Sequence, residues 1–184
     1  MECGKKVAII DFDKDKPDAS RWASKGGWID YVFQVFDEKP LDKVNDIKRK
    51  YDYVIFDTPP NSQPLALKAI MMSDLVILPV SDSGLDQDNV KDACETAIMA
   101  KKDYMFLASR INKNTKVSKG LLSGLNKIDK SFNTRISDRT IMKECYAAGK
   151  WIGDYKRGSE SHNEFISFAN EVIEYFNKKK MASL

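Results

Sequence analysis

The 184-residue chain contains little cysteine, and this scarcity excludes several classes of protein. Its three cysteines, Cys3, Cys94 and Cys145, lie far apart, and no two of them form a Cys-x-x-Cys pair. A disulfide framework or a zinc site needs grouped cysteines, so we expect neither. A chain with so few thiols fits a reducing, cytoplasmic environment.

Histidine is scarcer still, because His162 is the only one in the sequence. A Ser-His-Asp catalytic site would therefore depend on this residue. His162 lies in the polar segment Ser159–Asn163, whose pattern is typical of the start of a helix. We interpret His162 as part of a helix N-terminus and not as a catalytic base.

Long apolar runs are missing as well. No stretch of about 18 consecutive apolar residues occurs, so we expect no transmembrane span. The segment Met1–Lys6 carries no apolar region of a signal peptide. Hydrophobic residues make up 42% of the chain and charged residues 31%, which is ordinary for a globular protein. The length predicts one domain over residues 1–184.

Charge is unevenly distributed along the chain. Residues 1–112 carry 16 basic and 19 acidic residues, whereas residues 113–160 carry 11 basic and 5 acidic residues. An acidic N-terminal part therefore adjoins a basic C-terminal part. The basic part predicts either a surface for a phosphate-backbone partner or a solvated lysine-rich face, and charge alone favours neither.

Short apolar runs alternate with helical patterns and predict the fold class. Strands are predicted at Lys5–Asp13, Tyr53–Asp57, Leu75–Val80 and Tyr104–Ser109, because continuous apolar runs are typical of parallel strands covered on both faces. Helices are predicted over 41–50, 64–73, 86–101, 117–130 and 163–180, with a short edge strand at 134–136. This order predicts an α/β fold with a mainly parallel sheet flanked by helices.

Three carboxylates follow the predicted strands. Asp11, Asp13 and Asp57 stand where two apolar strands end. Ligands of open α/β sheets bind beyond the carboxyl ends of the strands, and grouped carboxylates there suit a hydrated Mg²⁺ ion carrying nucleotide phosphates. The alternative is that each Asp only forms a turn. We favour the metal-binding interpretation because three such residues occur together.

Five segments in order carry a family resemblance. Tyr51–Pro60 is similar to the Walker B strand of the ParA/MinD family of deviant Walker-type partition ATPases, and Met72–Val80 and Gly4–Asp13 match two further strands. Ser109–Asn112 resembles the end of the family's strand that reaches the adenine. Gly149–Ser159 resembles the family's stretch before the last helix. The small plasmid ParA proteins are the most similar in size and character.

The resemblance implies a site for Mg²⁺ and ATP or ADP. Asp57 would act on Mg²⁺ through water, Asp11 would support the metal and its water shell, and Asp13 would position the attacking water or hold the nucleotide-bound dimer. Thr58, with Pro59 and the following Pro60, would form the switch that senses the γ-phosphate. On the adenine side, the resemblance implicates Asn112 and Arg110 in nucleotide binding.

The resemblance also implies partners. Family members act as homodimers, bind DNA without sequence preference and work with a ParB-type partner protein in the cytoplasm, on the nucleoid. The basic residues that would face DNA are Lys116, Lys119, Arg135, Arg139, Lys150, Lys156 and Arg157. A MinD-like membrane helix is the less favoured alternative, because the basic end at Lys178–Lys180 directly continues the last predicted helix.

The family's phosphate-binding loop does not occur in these 184 residues. No GxxxxGK[ST] pattern is present. A Lys-Gly-Gly sequence occurs within Ser24–Trp28, but it comes after the strand that ends at Asp11 and is not followed by Gly-Lys-Thr. We therefore interpret this segment as an ordinary loop. The implied fold is P-loop NTPase-like without its first strand, and we expect impaired ATP binding and hydrolysis. Two explanations stay open: a longer protein that continues upstream, or a non-enzymatic module that binds DNA or a partner.

Overall fold

A computed structural model describes residues 3–35, 40–59 and 63–182, apart from the side chains of Gln63 and residues 84–88. Its strands are β1 (Val7–Asp11), β2 (Val32–Gln34), β3 (Tyr53–Asp57), β4 (Val76–Val80), β5 (Tyr104–Ile111) and β6 (Ser131–Ser137). Its helices are α1 (Asp18–Gly26), α2 (Leu41–Lys48), α3 (Gln63–Met72), α4 (Gly84–Met99), α5 (Lys116–Leu125), α6 (Thr140–Ala147), α7 (Ile152–Tyr155) and α8 (Glu160–Ala182), with a 3-10 turn at Ile29–Tyr31.

The chain divides into two compact units. The first comprises Met1–Asp74 and Lys143–Trp151, and the second comprises Leu75–Met142 and Ile152–Leu184. Each contains one three-stranded parallel sheet, in the order β2-β1-β3 in the first unit and β4-β5-β6 in the second. Parallel sheets flanked by helices confirm the predicted α/β class. The prediction of one domain over residues 1–184 stays a prediction beside this two-unit division.

The first unit buries one face of its sheet against α2 and α3. Because side chains alternate along a strand, Ala8 and Ile10 of β1 point to the same face, and both are fully buried. They pack in one cluster with Val44 and Ile47 of α2 and with Ala69 of α3. Of the three apolar positions that predicted this helix, Val44 and Ile47 therefore face the core, whereas Leu41 is 55% exposed.

Helix α1 lies on the other face of the first sheet, where Ser20 contacts Asp11, and it is absent from the helices that the sequence predicted. Its buried residues are Ser20 and Ala23. It ends at Gly26, and Gly27 adopts a left-handed backbone conformation at φ 72°. Glycine adopts that conformation without steric cost, which stops the helix at this point.

The second unit covers its sheet on both faces. Along β5, Ala108 faces a cluster that includes Leu125 of α5, whereas Leu107 faces a cluster that includes Phe165 and Phe168 of α8. This alternation explains why β5 is apolar at consecutive positions and why its strand was predictable. None of the helices in the described ranges is long and apolar enough to span a bilayer.

The start of α8 confirms that the single histidine, His162, belongs to a helix N-terminus. The Ser159 hydroxyl accepts a hydrogen bond from the His162 backbone N–H at 3.2 Å, which caps the helix N-terminus. The buried His162 ring in turn accepts one at Nδ1 from the Gly158 N–H at 3.1 Å. The ring therefore contributes to the turn before α8.

Candidate nucleotide and DNA sites

The carboxyl ends of β1 and β3 lie side by side in the first unit. The parallel register pairs Asp11 with Asp57, and the Phe12 N–H donates to the Asp57 carbonyl at 2.9 Å. Paired residues on parallel strands point to the same face and are separated by about 5 Å. The structure therefore brings together two of the three carboxylates that the sequence singled out.

Asp11 is fully buried, and its carboxylate is occupied by hydrogen bonds. One oxygen accepts the Ser20 N–H at 3.1 Å and the Ser20 hydroxyl at 2.8 Å, and the other accepts the Asp13 N–H at 3.0 Å. The Ser20 N–H belongs to the first turn of α1, where backbone donors have no partner within the helix. Asp11 thus caps α1 from a neighbouring strand and has no exposed surface through which to contact an ion.

Asp13 organises the loop between β1 and α1. One of its carboxylate oxygens accepts the backbone N–H groups of Asp15 at 3.1 Å and Lys16 at 2.8 Å. This is the local turn that Asp side chains commonly stabilise. Asp13 stays partly exposed, so its second oxygen can reach solvent or a hydrated ion.

Asp57 is the exposed member of the group. Desolvation at the strand end, together with the negative charges of Asp11, Asp13 and Asp18, raises the pKa of Asp57 above its ordinary value. Grouped negative charges favour a bound cation, which would relieve their repulsion. The electrostatics at this strand end therefore suit Mg²⁺.

The described residues fit a water-mediated ion better than a directly coordinated one. Within residues 3–35, 40–59 and 63–182, no three histidine, cysteine or acidic side chains are arranged to hold a metal ion. Mg²⁺ commonly keeps several waters and uses one or two carboxylates. Asp57 and Asp13 are the two that could contact its water shell, with Asp11 holding the loop that carries Asp13.

The predicted switch residues follow β3 directly. Thr58 is exposed and Pro59 is partly exposed at the end of the strand. Pro60, which the resemblance also implicates, lies outside the described residues. The backbone at Thr58 and Pro59 leaves the sheet beside Asp57, so a ligand at that carboxylate would be within reach of this segment.

The second unit carries the residues expected near the base. Arg110 has φ 55°, a left-handed conformation that is rare for a non-glycine residue, and the β5–β6 register shifts between Ala108 and Ile111. Asn112 is exposed, and its side-chain oxygen accepts the Asn114 N–H at 3.1 Å. Both residues stand at the carboxyl end of β5, where α/β sheets bind ligands.

Asp82, at the carboxyl end of β4, is a polar residue that the sequence did not single out. It accepts a hydrogen bond from the Ser118 hydroxyl at 2.6 Å and one from the Thr115 hydroxyl at 3.4 Å. The Thr115 oxygen in turn caps α5 by accepting the Ser118 N–H at 3.1 Å. The sequence did contain a signal for these hydrogen bonds. A Ser-Asp pair ends one predicted strand, and a Thr-x-x-Ser pattern, typical of a helix start, follows later in the chain.

The Lys-Gly-Gly segment lies at the end of a helix. Lys25 and Gly26 form the last turn of α1, and a Cβ added to Gly26 would lie 2.0 Å from the Gly149 carbonyl oxygen. A helix C-terminus presents carbonyl groups, which repel phosphate, whereas a phosphate loop needs the N–H groups of a helix start. The prediction of a loop was wrong for Ser24–Gly26, which form the end of α1, whereas the position at a helix C-terminus agrees with the expectation that this segment is not a phosphate loop.

The predicted DNA-facing residues separate into free and engaged groups. Lys116 and Lys119 are exposed on α5, and Lys156 is exposed after α7; none of the three has a partner within the described part of the chain. Arg157 is exposed next to Lys156, and Lys150 is exposed in the first unit.

Two of the predicted DNA-facing arginines are bound within the second unit. Arg135 donates to the Phe132 carbonyl, to the Thr134 carbonyl at 3.2 Å and to the Asn126 side chain at 2.5 Å, and its desolvation lowers its pKa. Arg139 forms ion pairs with Glu160 and, at 3.6 Å, with Glu164. These contacts compete with a phosphate for both guanidinium groups.

Comparison with known proteins identifies chains that share this fold. Residues 32–105 match the family described as AAA domain. The fold is similar to MinD of Pyrococcus horikoshii complexed with Mg-ADP, with a TM-score of 0.72, 18% identity and coverage of 93% of this chain and 84% of that chain. The chain therefore has the P-loop NTPase-like α/β fold of the MinD and ParA proteins.

The chain is similar to two further proteins. A plasmid partition protein of Borrelia burgdorferi bound to AMPPNP matches with a TM-score of 0.74, 16% identity and coverage of 96% of this chain and 88% of that chain. The sporulation initiation inhibitor protein Soj of Bacillus subtilis is 26% identical over 135 residues, which are 68% of this chain and 53% of Soj. The chain thus spans about half the length of Soj, and its resemblance to the ParA/MinD family is confirmed.

Proposed function

We propose that this chain acts as a ParA-type protein that positions or segregates DNA in the cytoplasm. It would work as a homodimer, bind DNA without sequence preference and act with a ParB-type partner protein. The likeness to Soj and to a plasmid partition protein supports the positioning or segregation role. The observation that carries the DNA proposal is the pair of unpartnered lysines, Lys116 and Lys119, on the exposed side of α5.

Helix α5 is suited to a phosphate backbone. Lys116 and Lys119 are three positions apart, so they lie on neighbouring parts of one helix surface. Gly120 and Gly124 have open space where a Cβ would stand, which lets another molecule approach the helix closely. Lysines that are not engaged in ion pairs can each displace a counterion from DNA, whereas Arg135 and Arg139 would first have to leave their partners.

Fluorescence anisotropy with a labelled duplex of random sequence tests the DNA proposal. Each lysine that contacts phosphate contributes about 0.9 to the slope of log K against log salt, so Lys116→Gln/Lys119→Gln should reduce that slope by about 1.8. The matched control is Lys14→Gln/Lys16→Gln, which removes two exposed lysines from the first unit. Absence of binding at low salt, or equal losses in both double variants, would contradict the proposal.

We further propose that Asp57, with Asp13, holds the water shell of Mg²⁺ accompanying ATP or ADP, and that Thr58, Pro59, Asn112 and Arg110 contribute to nucleotide binding. When bound, Mg²⁺ would neutralise phosphate charge. Because no GxxxxGK[ST] segment supplies backbone N–H groups and a lysine, binding should be weak and hydrolysis impaired. Besides desolvation, the negative charges of Asp11, Asp13 and Asp18 raise the pKa of Asp57, and it is these charges that support a cation at this position.

A second candidate is a non-enzymatic module that binds DNA or a partner through the same fold. The observation that favours it is Asp11, because the three hydrogen bonds that its carboxylate accepts hold α1 and the loop between β1 and α1. In that case the carboxylates would have a structural role only. Nucleotide titration separates the two candidates, since only the first predicts Mg²⁺-dependent binding.

A further inference from the structure

A surface depression in the first unit lies next to the buried Asp11 carboxylate, because its lining residue Ser20 donates to Asp11 and its lining residue Gln34 pairs with Asp11 between β2 and β1. It is a widely open cavity of about 480 Å³ between α1, the 3-10 turn and β2. Its lining residues are Pro17, Ser20, Arg21, Ser24, Ile29, Val32 and Gln34. The volume falls within the range of pockets that hold small organic molecules, and nothing in the proposed function uses it.

The lining combines an apolar part with a few polar groups. Pro17, Ile29 and Val32 supply the apolar surface, and Ile29 leaves 41% of its surface exposed although it is a large hydrophobic residue. Binding pockets typically pair such a surface with a small number of polar groups that fix orientation. The apolar part would accommodate a hydrocarbon or aromatic ring.

The polar groups of the cavity select the charge of a ligand. The hydroxyls of Ser20 and Ser24 already donate, to Asp11 at 2.8 Å and to the Ser20 carbonyl at 2.9 Å, so they offer a ligand only acceptor capacity. The side chains that still have N–H groups to donate are Arg21 and Gln34. A guanidinium beside an amide suits a carboxylate or phosphate.

Arg21 is available for such a ligand. Its side chain is 58% exposed, and its ion pair with Asp18 is long, at 3.6 Å, and exposed to solvent. Exposed pairs of this kind contribute little, so an anion could compete with Asp18. Lys43 adds a second positive charge near the cavity, because its ammonium group donates to the Gln34 carbonyl at 3.1 Å.

We propose that this cavity binds a small amphipathic anion, a carboxylate or phosphate monoester with an apolar body. Its anionic group would contact Arg21, and its apolar body would cover Ile29 and Val32. Ser20 connects the cavity to the candidate nucleotide site, because the same residue that lines the cavity also holds Asp11. A bound ligand would therefore stabilise the position of α1 that Asp11 caps.

The test is an NMR titration of the ¹⁵N-labelled chain with benzoate and with phenyl phosphate. Both should give saturable amide shifts centred on Ser20, Arg21, Ser24, Ile29 and Val32, with a Kd of about 1 mM, as expected for fragments of this size. Benzyl alcohol has a similar apolar body without the charge and should bind about tenfold more weakly. A preference for phenyl phosphate over benzoate would identify a phosphate monoester as the ligand class.

Two variants keep the result interpretable. Arg21→Gln should weaken the binding of benzoate and of phenyl phosphate by about tenfold, whereas Arg49→Gln should leave both affinities unchanged. Arg49 is a matched control because it forms an exposed ion pair with Asp46, also three residues away, and is absent from the cavity. The proposal is overturned if no shifts saturate at millimolar anion, if both variants behave alike, or if benzyl alcohol binds as well as the anions.

Discussion

Removing the Asp11 carboxylate should destabilise the folded chain strongly, whether or not Mg²⁺ is present. Asp11→Ala would leave three donors without their acceptor: the Ser20 N–H, the Ser20 hydroxyl and the Asp13 N–H. Hydrogen bonds to a charged group contribute about 1.5–3 kcal/mol each, and partial relaxation makes the losses less than additive. We expect the free energy of unfolding to fall by about 3–5 kcal/mol.

Equilibrium unfolding in urea, followed by circular dichroism in the presence of EDTA, measures this loss. With a slope of about 2 kcal/mol per molar urea, the midpoint should fall by about 1.5–2.5 M. Ser20→Ala removes only the hydroxyl and should cost about 1–2 kcal/mol. The matched control, Asp15→Ala, removes an exposed carboxylate from the same loop and should change stability by less than about 0.5 kcal/mol.

A double-mutant cycle tests the assignment of Asp11 as a helix cap. Because Asp11 and Ser20 contact each other, their coupling energy should be about 1–2 kcal/mol. A carboxylate that served only a metal would cost almost nothing to remove in EDTA. A loss below about 1 kcal/mol for Asp11→Ala, or a coupling energy near zero, would therefore refute the reasoning.

Further predictions concern the two units separately. The hydrogen bond from Lys179 lowers the pKa of Asp103, so this pair should stabilise the fold above the ordinary carboxyl pKa. The stabilisation should be lost as the pH falls through the lowered pKa. In thermal melts across pH, Asp103→Asn should cost about 0.5 kcal/mol at pH 7 and nothing near pH 2. In urea titrations, Gly149→Ala should lower the free energy of unfolding by about 2 kcal/mol or more, because Gly149 has φ 66° and a Cβ there would lie 2.5 Å from the Lys25 Cβ. An unchanged urea midpoint would contradict this packing. Glu171→Ala should cost about 2–3 kcal/mol because the Glu171 carboxylate accepts three hydrogen bonds near the start of β6. Glu171→Gln should be more stable than Glu171→Ala, and equal stability of the two variants would contradict this role of the carboxylate.

The strands with continuous apolar runs were predictable because burial on both faces leaves a strong local pattern. β5 is the clearest case, since its apolar residues are adjacent in the sequence and both of its faces contact helices. β3 carries the same kind of apolar run although its central Ile55 is 54% exposed. β2 has only three residues, and the buried residues of α1 are a serine and an alanine, so neither element carries a run of large apolar residues. What defines these two elements is contact with β1, which the local sequence does not encode.

The roles of individual charged residues were the least predictable part of the site. The strand-end position of Asp11 was correctly inferred, but its hydrogen bonds to Ser20, nine residues later, depend on how α1 returns to the sheet. Arg135 was predicted to face DNA with the other basic residues, whereas in the structure its guanidinium group donates hydrogen bonds to neighbouring carbonyl groups. A sequence reports the charge of a side chain, and only the fold determines which partners compete for it.

The most direct test of the central claim, that the acidic end of the first sheet is a weak Mg²⁺–nucleotide site, is a titration with a fluorescent ATP analogue. The account predicts binding that requires Mg²⁺, is weaker than micromolar and is lost in Asp57→Asn, while Asp52→Asn, at the opposite end of the same strand, binds normally. No binding at millimolar nucleotide, or binding that survives in Asp57→Asn or without Mg²⁺, would contradict the claim and leave the non-enzymatic module as the function of this fold.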